Sequence, residues 1–245
     1  MPASGEFRLS ITRALADQLA DGLAALGPDP LGPVYIGRVD PKPGVYQLYE
    51  NGTLIYVGKA QASEPLPKRL RQHYDKLSGR VGIGTMTFTC LYVHEDMQAV
   101  SPEQLLINKY RGEGKAAWNF MGFGSKDPGK ERDTTRIDAD HFDAVHPINL
   151  DFVCADITAG TYIVEDLLKL MKRTLPFLFR YQSASFHRQL EVEIVEDAPT
   201  ADELFDALGA VIAHADPEWR ITALPGYVIM YPKDGPYPHA LRTYR

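Results

Sequence analysis

The feature that most constrains the fold is a tight turn between two short runs of β-favouring residues. Residues 44–49 (GVYQLY) and 53–57 (TLIYV) are joined by Glu50-Asn51-Gly52. Asn-Gly is a strong signal for a two-residue hairpin turn, because both residues tolerate the positive φ that such turns require. The sequence therefore predicts an antiparallel hairpin at this point.

The segments that follow the hairpin change between helical and strand patterns. We expect helices over 65–77 and 101–111 and a third strand over 85–93. At the start of the second helix, Ser101 is predicted as the N-cap and Gln104 as its capping-box partner, with Pro102 in the first turn. These elements predict a compact unit of the α+β class.

The flanking segments carry their own patterns. Residues 7–26 repeat apolar residues at helical spacing, with Ile11, Leu15, Leu19 and Leu23 on one predicted face. Residues 112–136 are glycine-rich and charged, which is typical of a loop. Beyond Pro147 the patterns predict strands at 149–154, 189–195, 219–223 and 226–231, and helices at 162–173 and 200–214.

We therefore predict three segments: an N-terminal helical arm (1–40), a core with a loop (41–147), and a C-terminal α+β region (148–245). No apolar run approaches the roughly 18 residues of a membrane span, and the first residues lack a secretory pattern. Cys90 and Cys154 lie in apolar segments and are predicted to be buried thiols rather than a disulfide. These features favour a cytoplasmic protein without a membrane partner.

The charge is unevenly distributed along the chain. The net charge of −6 argues weakly against a nucleic-acid partner, but binding depends on the local surface rather than on the sum. The acidic excess lies mainly after residue 138. The basic residues concentrate in two groups: Lys68, Arg69, Arg71 and Arg80, and then Lys126, Lys130, Arg132 and Arg136.

Two pairs of residues suggest chemistry at a phosphate. Tyr46 and Tyr56 lie on the two strands of the hairpin, where their phenols can converge on a water. Arg69 and His73 lie four residues apart on one helix face, where a guanidinium fork suits a phosphate and an imidazole accepts a proton. The simpler interpretations are two half-buried strand tyrosines and a solvated basic face.

Two further polar residues have similar alternatives. Glu103 in the first turn of its helix suits the helix dipole, but a carboxylate there is also a candidate Mg²⁺ ligand. Asn119, between Trp118 and Phe120, either forms a turn or orients a water or phosphate.

Taken in order, these residues resemble the GIY-YIG nuclease superfamily over about residues 44–120. That family carries Gly-x-Tyr, about ten residues, and then Tyr-x-Gly. The matching positions are Gly44-Val45-Tyr46, Tyr56-Val57-Gly58, Lys59-Ala60, Leu66, Arg69, Leu70, Glu103, Leu106, Ile107, Tyr110 and Asn119, with a small insertion at Ser63-Glu64.

The resemblance implies a small antiparallel sheet flanked by helices and Mg²⁺-dependent hydrolysis of DNA, leaving a 5′-phosphate and a 3′-hydroxyl. In that family's pattern, Glu103 holds the metal and Arg69 stabilises the charged transition state. Tyr46 activates or positions the attacking water, tuned by Tyr56, His73 and Lys59, and Asn119 completes the catalytic set. Which group is the general base stays open.

A narrower resemblance links His73, Trp118-Asn119 and residues 122–129 to the small GIY-YIG type II restriction endonucleases that cut CCGCGG. It covers about residues 30–147 and implies a homodimer on a palindromic site, with a protective methyltransferase in the host. The expected DNA-contacting residues are Lys68, Arg71, Lys126, Lys130, Arg132 and Arg136. The exact target, the cut position, the dimer interface and the role of residues 150–245 stay open.

Two other interpretations are retained. The same core serves repair, homing and structure-selective nucleases. It can also persist in a DNA-binding or toxin–antitoxin-like protein that has lost catalysis. The joint presence of the tyrosines, Arg69, Glu103 and Asn119 favours a working nuclease.

Overall fold

The computed structural model describes residues 4, 10–93, 101–124, 133–232 and 235–245. The chain divides into two compact units, one made of Met1–Tyr74 and Ile83–Met121, the other of Asp75–Gly82 and Gly122–Arg245. Each unit combines helices with mainly antiparallel strands, so the predicted α+β class is confirmed. Among the described residues, no helix has the length and apolar character needed to span a membrane.

The first unit is built around an antiparallel sheet with the strand order β1-β4-β2-β3. Its elements are α1 (Ile11–Ala24), β1 (Asp29–Pro30), α2 (Pro33–Ile36), β2 (Gly44–Glu50), β3 (Thr53–Ala60), α3 (Leu66–Ser78, whose last turn is counted with the second unit), β4 (Met86–Tyr92), α4 (Pro102–Gly112) and a short 3₁₀ helix (Ala117–Phe120).

The predicted hairpin is confirmed. Glu50 pairs with Thr53, and the two turn residues between them have positive φ, 49° at Asn51 and 80° at Gly52. The Asn51 side chain also accepts a hydrogen bond from the backbone N–H of Thr85 at 3.0 Å. The register of β2 against β3 is set by this turn together with a register shift between Leu48 and Tyr49, which pairs Tyr56 with Leu48 and so places Tyr56 on the same face as Tyr46.

α1 packs into the first unit through small residues. Ala20 and Leu23 belong to a buried cluster with Val45, Val57 and Leu106. The predicted apolar face was partly wrong, since Ile11 is 62% exposed. The close approach of α1 to the sheet favours the side that carries alanine and glycine. α1 is therefore part of this core, and the two units do not follow the three predicted segments.

The predicted capping box at α4 is wrong. Ser101 is the N-cap residue, but its side chain makes no capping hydrogen bond. The Gln104 amide donates instead to Asn108 Oδ1, one turn further along, at 2.9 Å. Pro102 at the helix start and Glu103 in the first turn remain the local features that favour initiation here.

The second unit contains a four-stranded sheet and a separate two-stranded sheet. The larger sheet has the order β10-β8-β9-β6, in which β6 and β9 are parallel, and the smaller pairs β5 with β7. The elements are α5 (Phe142–Val145), β5 (Gly160–Ile163), α6 (Val164–Thr174), β6 (Leu178–Tyr181), a 3₁₀ helix (Ser185–Arg188), β7 (Glu191–Ile194), α7 (Ala201–Ala215), β8 (Trp219–Ala223), β9 (Tyr227–Pro232) and β10 (Arg242–Tyr244).

The core of the second unit lies between its helices and one face of the larger sheet. Buried side chains of α6 and α7, such as Leu168 and Phe205, pack with Ile221 and Met230 of the sheet. The strand predicted over 149–154 is wrong. Asn149 starts a turn there, because its side-chain oxygen accepts from Asp151 N at 3.0 Å and its carbonyl accepts from Phe152 N.

Candidate active site

The site is organised by the close approach of the Tyr46 ring to Gly58. The two residues are directly paired across β2 and β3. A Cβ atom placed on Gly58 would lie 2.2 Å from both Cζ and Oη of Tyr46, so the ring occupies the space above the glycine. Gly44 is equally constrained, since its Cβ would lie 2.1 Å from the carbonyl oxygen of Leu91. Both motif glycines are therefore required by packing.

Three rings meet over this face of the hairpin. Tyr46 and Tyr56 lie on the same face, with ring centroids 6.2 Å apart, and His73 of α3 lies 5.5 Å and 5.3 Å from them. All three residues are buried. The Tyr46 hydroxyl is 2.6 Å from His73 Nε2, a short hydrogen bond whose donor and acceptor depend on which ring nitrogen of His73 carries the proton.

The environment keeps Tyr46 protonated. Burial raises the pKa of the Tyr46 hydroxyl far above its usual value, and the electrostatic effects of Tyr56 and Glu103 add to this rise. The nearby positive charge of Arg69 opposes the rise but does not outweigh it. Burial likewise raises the pKa of Tyr56. A free phenolate at Tyr46 is therefore strongly disfavoured by the protein's own groups.

Arg69 lies near Tyr46, and its neighbours favour its positive charge and fix its side chain. Burial alone lowers the pKa of its guanidinium, but Tyr46, Tyr56 and Glu64 together raise it above the usual value. Its Nη1 donates to Gln72 Oε1 at 2.6 Å and lies 3.8 Å from Glu64 Oε2. These contacts leave a fixed positive charge beside the Tyr46 hydroxyl.

Glu103 is a half-buried carboxylate in the first turn of α4. Burial raises its pKa, while the charges of Lys59 and Arg69 lower it. Its charge also acts on Tyr46 and Tyr56. Within the described part of the chain, its carboxyl oxygens have no hydrogen bond and no ion pair. A half-buried carboxylate of this kind is suited to a cation.

The donor set fits Mg²⁺ better than a metal held by a full protein cage. The described residues contain no group of three or more His, Cys, Asp or Glu that could hold a metal ion. Mg²⁺ is commonly bound by one or two carboxylates, with waters and phosphate oxygens completing its shell. Glu103 would serve as that carboxylate.

Asn119 is committed to the backbone of β3. Its Oδ1 accepts from Val57 N and its Nδ2 donates to Val57 O, both at 2.8 Å. β3 is an edge strand, so this amide takes the place of a neighbouring strand at the residue between Tyr56 and Gly58. Asn119 therefore fixes the β3 backbone between Tyr56 and Gly58, whereas the sequence suggested that it forms a turn or orients a water or a phosphate.

The remaining predicted residues lie in several places. Lys59 is half-buried beside Glu103, while Lys68 and Arg71 are exposed on α3. Arg136 is exposed in the second unit, and the predicted DNA contacts Lys126, Lys130 and Arg132 fall outside the described residues. The structure thus brings together Tyr46, Tyr56, Arg69, His73 and Glu103, with Lys59 alongside.

The sequence interpretation missed three polar residues that support the site. Gln72 and Glu64 hold Arg69, as described above. On the opposite sheet face, buried Gln47 donates to Tyr110 Oη of α4 at 2.8 Å and accepts from Tyr49 Oη at 2.5 Å. A glutamine in the middle of an apolar strand was an available signal, because a buried amide needs partners. These bonds tie β2 to the helix that carries Glu103.

A scan against protein-family models and a search of curated proteins give no match to this chain.

Proposed function

We propose that this protein is a Mg²⁺-dependent endonuclease that hydrolyses phosphodiester bonds in double-stranded DNA, on a core of the GIY-YIG type. The observation that carries the proposal is the 2.6 Å hydrogen bond between Tyr46 and His73, with the charges of Arg69 and Glu103 acting on the same Tyr46 hydroxyl. A cation, a water-binding hydroxyl, a proton acceptor and a metal-binding carboxylate are the groups that phosphodiester hydrolysis requires.

The proton path follows from the raised pKa of Tyr46. Its hydroxyl accepts a proton from the attacking water while it passes its own proton to Nε2 of His73. The phenol then never has to exist as a free phenolate, and His73 ends the step as an imidazolium. In this proposal His73 is the final base and Tyr46 is the relay that holds the water.

Charge stabilisation falls to Arg69 and Glu103. The guanidinium fork donates to the phosphate oxygens as negative charge develops on the pentacoordinate phosphorus. Glu103 would hold Mg²⁺, which would supply Lewis-acid stabilisation of the charge that develops at the scissile phosphate. The nearby charge of Lys59 favours the ionised form of the Glu103 carboxylate.

We further propose a type II restriction endonuclease acting as a homodimer in the cytoplasm on a short palindrome, CCGCGG being the first sequence to test. Support comes from His73, which the narrower resemblance singled out and which lies on the Tyr46 hydroxyl. A two-fold symmetric target gives each strand one active site. Its DNA contacts would come from the basic residues named above, and a methyltransferase would protect the host.

The test is digestion of a long sequenced DNA by the wild-type protein with Mg²⁺, with a parallel reaction in EDTA, followed by mapping of the ends. Discrete Mg²⁺-dependent ends at one palindrome support the whole proposal. Nicking confined to damaged or branched DNA assigns the core to repair instead. Binding without cleavage under all conditions points to a catalytically silent DNA-binding protein.

A further inference from the structure

A single carboxylate lies against two of the basic residues of α3. Glu64 Oε1 is 3.4 Å from Lys68 Nζ, and Glu64 Oε2 is 3.8 Å from Arg69 Nη1. One of these cations is the proposed phosphate-stabilising group and the other is an expected DNA contact. Glu64 therefore neutralises part of the charge with which this helix would meet DNA.

The backbone holds Glu64 in this place. Gln61 and Glu64 exchange two backbone hydrogen bonds of 3.2 Å and 3.0 Å, which close a tight turn between β3 and α3. Gln72 is the only other side chain of the described residues that donates to this carboxylate, at 3.4 Å. The carboxylate is thus presented to α3 by a short, closed turn.

The ion pairs of Glu64 are weak enough to be exchanged. Its side chain is 45% exposed, and exposed pairs at 3.4–3.8 Å contribute little to stability. A DNA phosphodiester offers the same two cations a group of the same sign, with two charged oxygens that accept hydrogen bonds as the two carboxylate oxygens do. Arg69 retains its hydrogen bond to Gln72 when the carboxylate is replaced.

We infer that Glu64 is a built-in counter-ion for Lys68 and Arg69, which a DNA phosphate displaces on binding. Glu64 keeps the two cations neutralised and in place in the free protein, and it opposes binding of any anion there. This inference rests on the proposed function and concerns the regulation of the same site. It makes Glu64 a residue that weakens DNA binding.

The inference is tested by Glu64→Gln, which keeps the size and the hydrogen-bonding capacity of the side chain and removes its charge. A matched control is Glu113→Gln in the same unit, because Glu113 also contacts two lysines, Lys115 at 2.8 Å and Lys109 at 3.8 Å. The probe is a short fluorescein-labelled DNA duplex in EDTA, so that no cleavage occurs. Anisotropy gives Kd over a series of salt concentrations, and thermal unfolding confirms that each variant is folded.

We expect Glu64→Gln to bind roughly three- to tenfold more tightly than wild type at low salt, from the loss of one like charge within a few ångströms of the phosphate. The gain should shrink as salt rises, because screening removes it, and Glu113→Gln should bind as wild type does. Unchanged or weaker binding by Glu64→Gln, or an equal gain in Glu113→Gln, overturns the inference.

Failure of the counter-ion inference and failure of the proposed function give different results. A wild-type protein that cuts DNA but shows no gain in Glu64→Gln removes only the counter-ion role. A wild-type protein that neither binds nor cuts DNA removes the proposed function, and the counter-ion role with it. A second variant, Glu64→Ala, must also bind the DNA duplex more tightly than wild type does, since it removes the same charge.

Discussion

Substitution of Gly58 by alanine tests the packing on which the whole site depends. The new Cβ would lie 2.2 Å from the outer end of the Tyr46 ring, whereas ordinary contacts begin at 3.4 Å. The ring must therefore move by about 1.2 Å, the difference between these two distances. Tyr46 is completely buried, so the displaced ring must push against the side chains packed around it.

The expected loss of stability has two parts. Overpacking of a filled interior costs about 1–3 kcal/mol. A displacement of this size also disrupts the 2.6 Å bond between the Tyr46 hydroxyl and His73, and a buried polar group left without its partner costs about 1–3 kcal/mol more. We expect a total of about 2–6 kcal/mol, a large share of the stability of an ordinary domain.

The assays are urea unfolding and Mg²⁺-dependent plasmid cleavage, with Gly112→Ala as the control. Gly112 ends α4 and has no atom within 4 Å of an added Cβ, so alanine there should be neutral or slightly stabilising. Gly58→Ala should unfold at clearly lower urea, and any folded fraction should cut at least about 100-fold more slowly, because the reacting group is misplaced. A Gly58→Ala protein with wild-type stability would refute the close packing of the Tyr46 ring against Gly58, whatever the protein's activity.

Three further predictions concern side chains. Glu103→Ala and Arg69→Ala should each abolish cleavage; binding of a DNA duplex should stay largely intact in Glu103→Ala and weaken in Arg69→Ala, which loses a phosphate-contacting cation, and normal cleavage rates in Glu103→Ala would remove the metal assignment. Tyr46→Phe keeps the ring over Gly58 but removes the relay hydroxyl, so it should fold and cut about 10²–10⁴-fold more slowly; wild-type turnover would leave Tyr46 with only a packing role. In the second unit, burial lowers the pKa of His187, so the folded state takes up its proton only at lower pH than the unfolded state. The stability that His187 contributes is present above about pH 6.5 and is lost as the pH falls through its folded-state pKa, so the urea midpoint should fall more between pH 7.5 and pH 5 in wild type than in His187→Phe; equal falls would contradict this.

Elements with strong local signals were predicted closely from the sequence. The Asn51-Gly52 turn defined the hairpin, and Pro102 marked the start of α4, because turn and cap chemistry act within a few residues. β6 and β10 were not predicted. Each is four residues or fewer, and such strands are defined by a partner far away in sequence, such as Tyr227 opposite Leu178.

Within the candidate site, the sequence predicted which residues come together better than it predicted what each one does. The spacing of Arg69 and His73 placed them on one face of α3, as the structure has them. The commitment of Asn119 to Val57, and the hold of Gln72 on Arg69, depend on how separate segments pack, so they appear only in three dimensions.

The motif residues of this chain fall into two groups, those that the fold requires and those that suggest chemistry. Gly44, Gly58 and Asn119 build the hairpin face, since they are required by close approach or bind the β3 backbone. A DNA-binding protein without catalysis would need them as much as a nuclease does, so their presence supports the fold alone.

The second group is represented by Glu103, whose presence is harder to explain by folding. Packing gains nothing from leaving the half-buried Glu103 carboxylate without a hydrogen bond or ion pair from the described residues. A silent protein would be expected to replace such a carboxylate by an apolar side chain, because half-burying a charge without a partner lowers stability. Glu103→Leu therefore separates the two interpretations by stability as well as by activity. Removal of the desolvation cost of Glu103 should outweigh the loss of its favourable interaction with the start of α4, so Glu103→Leu should raise the urea midpoint of the first unit while eliminating cleavage, and a lowered midpoint would show that Glu103 serves the fold.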